Sequence, residues 1–377
     1  MTAERLRIAI DGRSAPGSLP TTCSLAHNVL KTIQAADPAN EYFAYFGPHA
    51  GGAAKEYGGV RCISGGPRQS VAWTNMWLLH RLRSDRIDAY VTTSPRGVPL
   101  APTRARIALL VEDASIDELP KISVANLAKA VGLRSAAMRA DAVLAVSAFA
   151  KDQLVSRLKL NERKVRPISM GLEIDHPIAP ERIASVLQRH RLERPYALAI
   201  GGTEPRRNNA RVLQAMGLLG DAHSNLTLAV AGPAWRGQQF ASGLVTSRTT
   251  LLGQVSEDDL PALMAAAEML VFPSIGDARG LPVLQAMALG VPVVTAASGA
   301  VPEVAGDAAL YADPDNASEI AAQIRKVLTD PELVSLLCTK GRERAERFRW
   351  TETCTTIATV CEGLMEKRTW RTQPATH

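Results

Sequence analysis

Short apolar runs of four to six residues alternate along the chain with longer segments in which apolar residues recur at helical spacing. This alternation is typical of α/β proteins, in which helices cover the faces of parallel sheets. The runs that predict strands in the first half are Leu6–Ile10, Tyr42–Phe46, Val60–Ser64, Ala89–Thr93, Ile107–Val111, Ala142–Ser147 and Val165–Ile168. Those in the second half are Ala197–Gly201, Leu226–Ala231, Thr250–Gly253, Leu270–Pro273, Val293–Ala296 and Ala309–Ala312.

The same pattern predicts the helices and the domain boundaries. The predicted helices are Ser147–Leu158, Asn209–Leu219, Glu257–Ala267, Leu281–Leu289, Ala317–Thr329 and a long polar helix over about Asp330–Lys367. A turn-rich segment followed by a charged helix separates two stretches of similar size. We therefore predict an N-terminal domain over 1–170, a link over 171–194, a second domain over 195–345, and a C-terminal helix over 346–377 that packs back on the N-terminal domain.

Composition narrows the class of protein. Of 377 residues, 46% are hydrophobic and 21% charged, which is the balance of a globular chain with a core. The net charge of +6 suits an anionic ligand or a membrane surface. The basic residues are spread along the chain without a dense block, so the sequence does not indicate nucleic-acid binding. The five cysteines lack metal-site spacing, and no signal or membrane-spanning segment is recognised. We expect a cytoplasmic protein without metal or cofactor.

The first candidate ligand loop follows the strand that ends at Ile200. Residues 201–209 (GGTEPRRNN) bring two glycines, two adjacent arginines and a candidate helix N-cap to the end of that strand. Ligands of parallel sheets sit beyond the carboxyl ends of strands, and helix N-termini favour anions. A diphosphate is the ligand that this loop favours. The alternative is a solvated loop whose arginines pair with nearby acids.

Two further loops have the same placement. Residues 273–282 (PSIGDARGLP) run into a helix, and both Asp277 and Gln285 could hydrogen-bond hydroxyl groups of one ligand. The alternative makes Asp277 a helix-capping carboxylate and Gln285 a surface residue. Residues 297–303 (ASGAVPE) follow the next strand. Three such loops on strand ends of one half are a stronger signal than any one of them.

These loops carry a family resemblance. Residues 202–208 resemble the phosphate loop G-T-x-E-P-R-K-N of the retaining family 4 glycosyltransferases, and 273–287 resemble their signature P-S-x-x-E-G-F-G-L-P-x-L-E-A-M. Residues 252–263 resemble the base-contacting turn and its helix, and 302–309 resemble P-E-V-x-G-D-A-A. The N-terminal half resembles the family more weakly.

The resemblance implies the GT-B fold, which is two Rossmann-like α/β domains that face each other across a cleft. It implies transfer of a hexose, mannose or a similar sugar, from a nucleoside diphosphate sugar to a glycan or lipid-linked glycan in cell-surface polysaccharide synthesis. The catalytic residues that it implies are Asp277, Arg206 and Arg207. The donor-binding residues are Gly202, Thr203, Val255, Arg279, Gly280, Leu281, Gln285 and Glu303, and the acceptor-side residues are Glu112 and Asp113.

The chain departs from the family pattern at four places. Asp277 and Gln285 replace the paired glutamates of E-x7-E, and Ala278-Arg279 replaces the Gly-Phe between them. The N-terminal glycine-rich loop is absent from residues 18–25, and Glu112 stands where the family has histidine. These departures support an alternative function, a catalytically weak or inactive homologue that serves as a nucleotide-binding partner subunit. The paired arginines favour an active enzyme.

Two other functional expectations complete the picture. A dinucleotide-dependent dehydrogenase is excluded because the first predicted strand ends in Asp11-Gly12-Arg13-Ser14 and not in G-x-G-x-x-G. A lipid-linked acceptor and the basic balance together predict peripheral contact with the inner face of a membrane. The predicted contact surface is the apolar stretch Trp73–Leu79, which is flanked by Arg68, Arg81, Arg83, Arg86 and Arg96.

Overall fold

The computed structural model describes residues 5–15, 25–48, 57–112, 124–173, 177–234, 237–241 and 243–366. The chain divides into two compact units. Unit 1 comprises residues 1–171 and 349–377, and unit 2 comprises residues 172–348.

Unit 1 is built on a parallel sheet of seven strands in the order β3-β2-β1-β4-β5-β6-β7. The strands are β1 (Arg7–Asp11), β2 (Glu41–Phe46), β3 (Arg61–Ser64), β4 (Ala89–Thr92), β5 (Arg106–Val111), β6 (Ala142–Ala145) and β7 (Val165–Pro167). All seven lie within two residues of the predicted bounds. The order of the first six strands is that of a dinucleotide-binding sheet, with its switch point between β1 and β4.

Helices α1 (Leu25–Ala36), α4 (Val124–Arg139) and α5 (Ala148–Leu158) pack on this sheet. Unit 1 also contains α2 (Ser70–Ala72) and α3 (Leu79–Ser84). A π-helical stretch, Trp73–Leu78, joins α2 to α3. Trp73, Leu78 and Leu79 are buried, so the stretch predicted as a membrane contact contributes mainly to the core.

A buried carboxylate lies at the switch point of the sheet of unit 1. Asp11, the last residue of β1, accepts hydrogen bonds from Arg13 Nε (2.9 Å) and Nη2 (2.7 Å) and from Thr92 Oγ1 (2.9 Å) at the end of β4. The Arg13 guanidinium lies 3.9 Å from the centre of the Trp73 ring. A Cβ atom at Gly97 would lie 2.0 Å from Thr92 Oγ1 and 2.6 Å from Asp11 Oδ2, so this close packing requires glycine at position 97.

Unit 2 has a parallel sheet of six strands in the order β10-β9-β8-β11-β12-β13. The strands are β8 (Tyr196–Ile200), β9 (Thr227–Ala231), β10 (Thr249–Gly253), β11 (Met269–Phe272), β12 (Val293–Thr295) and β13 (Leu310–Tyr311). All six were predicted within two residues. The fold class, α/β with parallel sheets, is therefore confirmed, and the switch point of this sheet lies between β8 and β11.

Helices cover both faces of the second sheet. Its helices are α6 (Pro180–His190), α7 (Asn209–Gly217), α8 (Leu260–Ala266), α9 (Leu281–Ala288), α10 (Val301–Ala305), α11 (Ala317–Thr329) and α12 (Pro331–Ala345). Apolar residues of α7 and α11 form the core on one face, and those of α6, α8, α9 and α10 form the core on the other. Strands buried on both faces explain the continuous apolar runs of the sequence.

The single C-terminal helix predicted over Asp330–Lys367 is wrong. The structure has α12 and a separate helix, α13 (Trp350–Met365), because the chain turns at residues 346–349. Phe348 packs on the core of unit 2, whereas Arg349 already belongs to unit 1. Helix α13 packs on α1, and Glu362 accepts a hydrogen bond of 2.9 Å from Asn40 Nδ2.

The segment predicted as a link, residues 171–194, does not stand apart from the two units. From Leu172 onward it belongs to unit 2, because Val186 and Leu192 are buried in that unit's core. Among the described residues, none of the helices is long and apolar enough to cross a membrane.

Two glycine substitutions in unit 1 should change its stability in opposite directions. Gly97→Ala should lower the free energy of unfolding by about 1–3 kcal/mol, because the added methyl group meets Thr92 and Asp11. Gly132→Ala, inside α4 with nothing within 4 Å of the added atom, should raise it by about 0.5–1 kcal/mol through helix propensity. Urea unfolding of both variants tests this, and equal effects at both positions would contradict the packing described for Gly97.

Candidate active site

Three loops of unit 2 lie at the carboxyl ends of neighbouring strands. They follow β8 (residues 201–208), β11 (273–280) and β12 (296–300). Because β8 pairs with β11 and β11 with β12, the loops share one edge of the sheet and include its switch point. This is the part of an open α/β sheet at which ligands bind.

The loop after β8 is shaped by its glycines and by a buried asparagine. Gly202 has φ of +57°, and a Cβ atom there would lie 2.1 Å from the carbonyl oxygen of Pro233. Asn209, which begins α7, is buried and donates from Nδ2 to the carbonyl oxygens of Gly202 (2.9 Å) and Ile200 (3.2 Å). The loop conformation is therefore fixed by groups that only these residue types supply.

Hydrogen bonds join the loop after β8 to the loop after β11. The carbonyl oxygen of Arg206 accepts from the backbone N–H of Ile275 (2.9 Å) and from Ser274 Oγ (3.1 Å). Asn208 stands at the N-cap position of α7, but its side chain donates to the carbonyl oxygens of Pro273 (3.3 Å) and Pro314 (2.7 Å) and does not cap the helix. These hydrogen bonds hold the two loops against each other.

Two carboxylates and two arginines form an ion-pair network across these loops. Glu204 pairs with Nε of Arg206 and, at 3.2 Å, with Nε of Arg207. Nη1 of Arg207 pairs with Oδ2 of Asp277, and its guanidinium lies 5.2 Å from the centre of the Phe272 ring. The two positive and two negative charges balance, so the network itself adds no net charge to the loops.

Asp277 is the most buried charge of this network, with 6% of its surface exposed. Its Oδ1 accepts from the backbone N–H groups of Arg279 (2.9 Å) and Gly280, which closes a turn immediately before α9. Burial acts to raise the pKa of Asp277, but the charge of Arg207 and these hydrogen bonds outweigh it and hold the pKa below its ordinary value. The carboxylate is therefore ionised, with both oxygens engaged inside the protein.

The loop after β12 forms hydrogen bonds with the backbone of the loop that contains Asp277. Its Ala300 N–H donates to the carbonyl oxygen of Asp277 (2.8 Å), and Ser298 Oγ donates to that of Ile275 (2.9 Å). Gly299 has φ of +65°, and a Cβ atom there would lie 2.5 Å from the carbonyl oxygen of Asp277. Close backbone contact between the second and third loops thus requires glycine at this position.

The other predicted donor-side residues also belong to unit 2. Gly280 adopts a left-handed conformation at the N-cap of α9, Leu281 is the first residue of that helix, and Gln285 lies half-buried on it. Thr203 donates from Oγ1 to the carbonyl oxygen of Gln238 (3.0 Å). The remaining two predicted residues, on the elements after β10 and β12, are Val255, which is half-buried against the core, and Glu303, which is exposed on α10.

The predicted acceptor-side residues belong to unit 1. Glu112 follows β5 and is half-buried. Asp113 lies outside the described residues, as do residues 18–24 of the segment aligned with the family's glycine-rich loop. Among the described residues, no group of three histidine, cysteine, aspartate or glutamate side chains is placed to hold a metal ion.

Sequence reasoning missed the role of Glu204 as the residue that bridges both arginines. The signal was present, because Glu204 lies two and three residues before the arginines in a proline-containing turn. The pairing of Arg207 with Asp277 had no comparable signal, since 70 residues separate them. The contacts of both alternative interpretations are present: the arginines pair with acids, and Asp277 closes the turn ahead of α9.

We predict unequal effects of removing the two arginines. Arg207→Ala should lower the free energy of unfolding by about 3 kcal/mol, because it leaves the buried Asp277 carboxylate without its cation. Arg206→Ala, the matched control, should change it by less than about 1 kcal/mol, because Arg206 pairs with Glu204, which is less buried than Asp277. Adding Asp277→Ala to Arg207→Ala should cost less than the sum of the two single effects in urea unfolding.

The contribution of Asp277 to the free energy of unfolding should also depend on pH. Because its folded-state pKa is lowered, its stabilising contribution is present above the pKa of an unfolded aspartate and is lost as the pH falls through the folded-state value. If the losses of unfolding free energy in Arg207→Ala and Asp277→Ala simply added up in the double variant at neutral pH, the pairing of the two side chains would be contradicted.

Comparison with known proteins identifies the family of this site. Residues 185–344 match the family model of glycosyl transferases group 1. An O-antigen chain mannosyltransferase of Escherichia coli is 35% identical over 224 residues, which are 57% of this chain and 58% of that protein. The chain thus covers less than two thirds of the length of this relative.

Two solved structures show the fold. Sucrose-phosphate synthase of Thermosynechococcus elongatus matches with a TM-score of 0.70 at 17% identity, over 97% of this chain and 100% of that one. HepE of Anabaena, in complex with UDP and glucose, matches with a TM-score of 0.68 at 18% identity, over 94% and 99%. This chain therefore carries a domain of the glycosyl transferases group 1 family and has the GT-B fold.

Proposed function

We propose that this protein is a retaining, metal-independent glycosyltransferase of cell-surface polysaccharide synthesis. It transfers a hexose, with mannose as the first candidate, from a nucleoside diphosphate sugar to a glycan or lipid-linked glycan. The observation that carries the proposal is the hydrogen bonding between two loops that resemble the family motifs, in which the carbonyl oxygen of Arg206 accepts from Ser274 and Ile275 at the switch point of unit 2. The site acts at the cytoplasmic side of the membrane in this proposal.

The chemistry asks for stabilisation of negative charge. As the glycosidic bond of the donor breaks, charge grows on the leaving diphosphate, and preorganised donors that already point at it lower the barrier. Arg206 supplies a forked cation, and the first turn of α9 supplies backbone N–H groups and the positive end of the helix dipole. Arg207 is engaged by the buried Asp277 carboxylate, whereas Arg206 pairs with the more exposed Glu204, so we infer that Arg206 exchanges its partner for the phosphate more readily and is the principal phosphate ligand.

The choice of sugar rests on relatives. The Escherichia coli protein that matches over 224 residues is named an O-antigen chain mannosyltransferase, and HepE was solved with UDP and glucose. Mannose and glucose are both hexoses. The higher sequence identity of the mannosyltransferase favours mannose.

A second function, that of a weakly active or inactive nucleotide-binding subunit, is favoured by one observation. Both oxygens of Asp277 are engaged by Arg207 and by the N–H groups of Arg279 and Gly280. A carboxylate so committed is poorly placed to bind a donor sugar hydroxyl. Gln285 in place of glutamate weakens the contact with the ribose in the same direction.

Product formation separates the two functions. Purified protein should transfer or hydrolyse GDP-mannose or UDP-glucose with EDTA present, and the anomeric configuration of the product, read by NMR, should match that of the donor. Arg206→Ala should weaken nucleoside diphosphate binding by about 1.5–3 kcal/mol in calorimetry, because a charge-assisted contact is lost. Nucleotide binding without any turnover of either donor would favour the subunit, and unchanged affinity in Arg206→Ala would remove the phosphate assignment.

Restoring the family residue on α9 should strengthen donor binding. Gln285→Glu should tighten nucleoside diphosphate affinity by about 1 kcal/mol, because a carboxylate accepts hydrogen bonds from two ribose hydroxyls more strongly than an amide oxygen does. Gln188→Glu on α6 makes the same chemical change at an exposed position and should leave affinity unchanged. Calorimetry with both variants checks this, and weaker binding by Gln285→Glu would place the side chain away from the ribose.

A further inference from the structure

The three loops of the candidate donor site carry one more positive charge than negative charge. Together the loops after β8, β11 and β12 contain three arginines and two carboxylates. Glu204 pairs with Arg206 and Arg207, and the pairing of Arg207 with Asp277 completes the balanced network. The third arginine is Arg279, so the loops as a whole have a charge of +1 (3 − 2 = 1).

The backbone of Arg279 is held firmly at the carboxyl edge of the sheet. Its N–H donates to Oδ1 of Asp277 (2.9 Å), and the next residue, Gly280, is the N-cap of α9 with a φ of +63°. The carbonyl oxygen of Asp277 accepts from the N–H of Ala300 (2.8 Å), so the loop after β12 holds the same turn. The side chain of Arg279 is half-buried, and the first turn of α9 contains no acid. A cation is therefore placed on a fixed turn where a ligand can reach it.

The order of groups along α9 assigns Arg279 to the hexose end of the donor. This step rests on the proposed function, in which Arg206 and the start of α9 bind the diphosphate and Gln285 binds the ribose. Leu281 and Gln285 are about 6 Å apart along the helix axis, whereas Arg279 lies two residues before the helix begins. The ribose and the hexose are attached to opposite ends of the diphosphate. With the ribose beside Gln285, the hexose is the group that lies nearest to Arg279.

This part of the site is more positive than the family signature would make it. At the positions of Asp277, Arg279 and Gln285, the signature has glutamate, phenylalanine and glutamate, whose charges add to −2. The three residues of this chain add to zero. The site has thus lost carboxylates, which accept hydrogen bonds from sugar hydroxyls, and has gained a guanidinium, which can only donate them. Such a change favours a sugar that carries an acceptor group of its own.

We propose that the donor is a nucleoside diphosphate hexuronic acid, and that Arg279 selects it by binding the C6 carboxylate of the hexose. The planar guanidinium matches a carboxylate with two parallel hydrogen bonds, which phenylalanine at this position could not provide. The inference keeps the hexose of the proposed function and oxidises only its C6, so mannuronate is the form that corresponds to mannose. The diphosphate is a second anion of the donor, and the experiment has to separate the two.

Matched pairs of charged and neutral donors test the inference. In calorimetry with the nucleotide that the protein binds, GDP-mannuronate should bind more tightly than GDP-mannose, or UDP-glucuronate more tightly than UDP-glucose, by about 10-fold or more. Arg279→Phe, which restores the signature residue, should reduce this preference by about 10- to 100-fold, because a charge-assisted contact is lost. Arg279→Lys keeps the charge without the fork and should reduce it less. The ratio of kcat/KM within each pair should change in the same direction.

The matched control is Lys326→Ala on α11, which removes an exposed cation outside the three loops. It lowers the net charge from +6 to +5 (6 − 1 = 5), as Arg279→Phe does, and should keep the preference of the native protein. An equal loss of affinity for GDP alone and for both sugars in Arg279→Phe would assign the cation to the diphosphate and overturn the inference. Equal binding of charged and neutral donors would overturn it and leave the proposed function intact. Absence of binding by any nucleoside diphosphate would instead overturn the proposed function, and the inference with it.

Discussion

The ion pair between Arg207 and Asp277 is the interaction on which the candidate donor site depends. A carboxylate with 6% of its surface exposed is costly to bury, and here an arginine and two backbone N–H groups offset that cost. The pair ties the loop after β8 to the loop after β11, and Ala300 ties the latter to the loop after β12. The three strand ends are thus held in one geometry before a ligand binds, which is the preorganisation that electrostatic catalysis needs.

The chain differs from the family pattern at both members of this pair. The family pattern that residues 202–208 resemble has lysine where this chain has Arg207, and its signature has glutamate where this chain has Asp277. The shorter carboxylate pairs with the longer cation, and the fork of arginine allows the same side chain to reach Glu204 as well. The ion pair thereby bridges the two loops, and the Asp277 carboxylate is buried in the protein. Arg279, which stands where the signature has phenylalanine, adds a further cation in the turn ahead of α9.

Most of the fold was predictable from sequence because the sheets are parallel and buried on both faces. Most strands are then continuous apolar runs, although the edge strands β3 (RCIS) and β10 (TTLLG) are not, and all thirteen were found within two residues. The break between α12 and α13 was not predictable, because residues 346–349 (ERFR) carry no glycine or proline. Phe348 packs on one core and Arg349 begins the other unit, so tertiary packing overrides helix propensity there. The pairing of Arg207 with Asp277 was not predictable for a different reason, because 70 residues separate them in the sequence.

The positive charge of the sequence is distributed unevenly between the two units. In the donor-side network, Arg206 and Arg207 are balanced by Glu204 and Asp277, so the surplus of positive charge in the sequence does not arise there. The surplus lies in unit 1, because residues 172–348 of unit 2 carry 16 basic and 20 acidic side chains, whereas the rest of the chain carries 27 basic and 17 acidic ones. Phosphate recognition needs one or two well-aimed donors in a fixed frame and no large net charge. A locally balanced network within an acidic unit therefore agrees with a candidate site that is built from aimed donors.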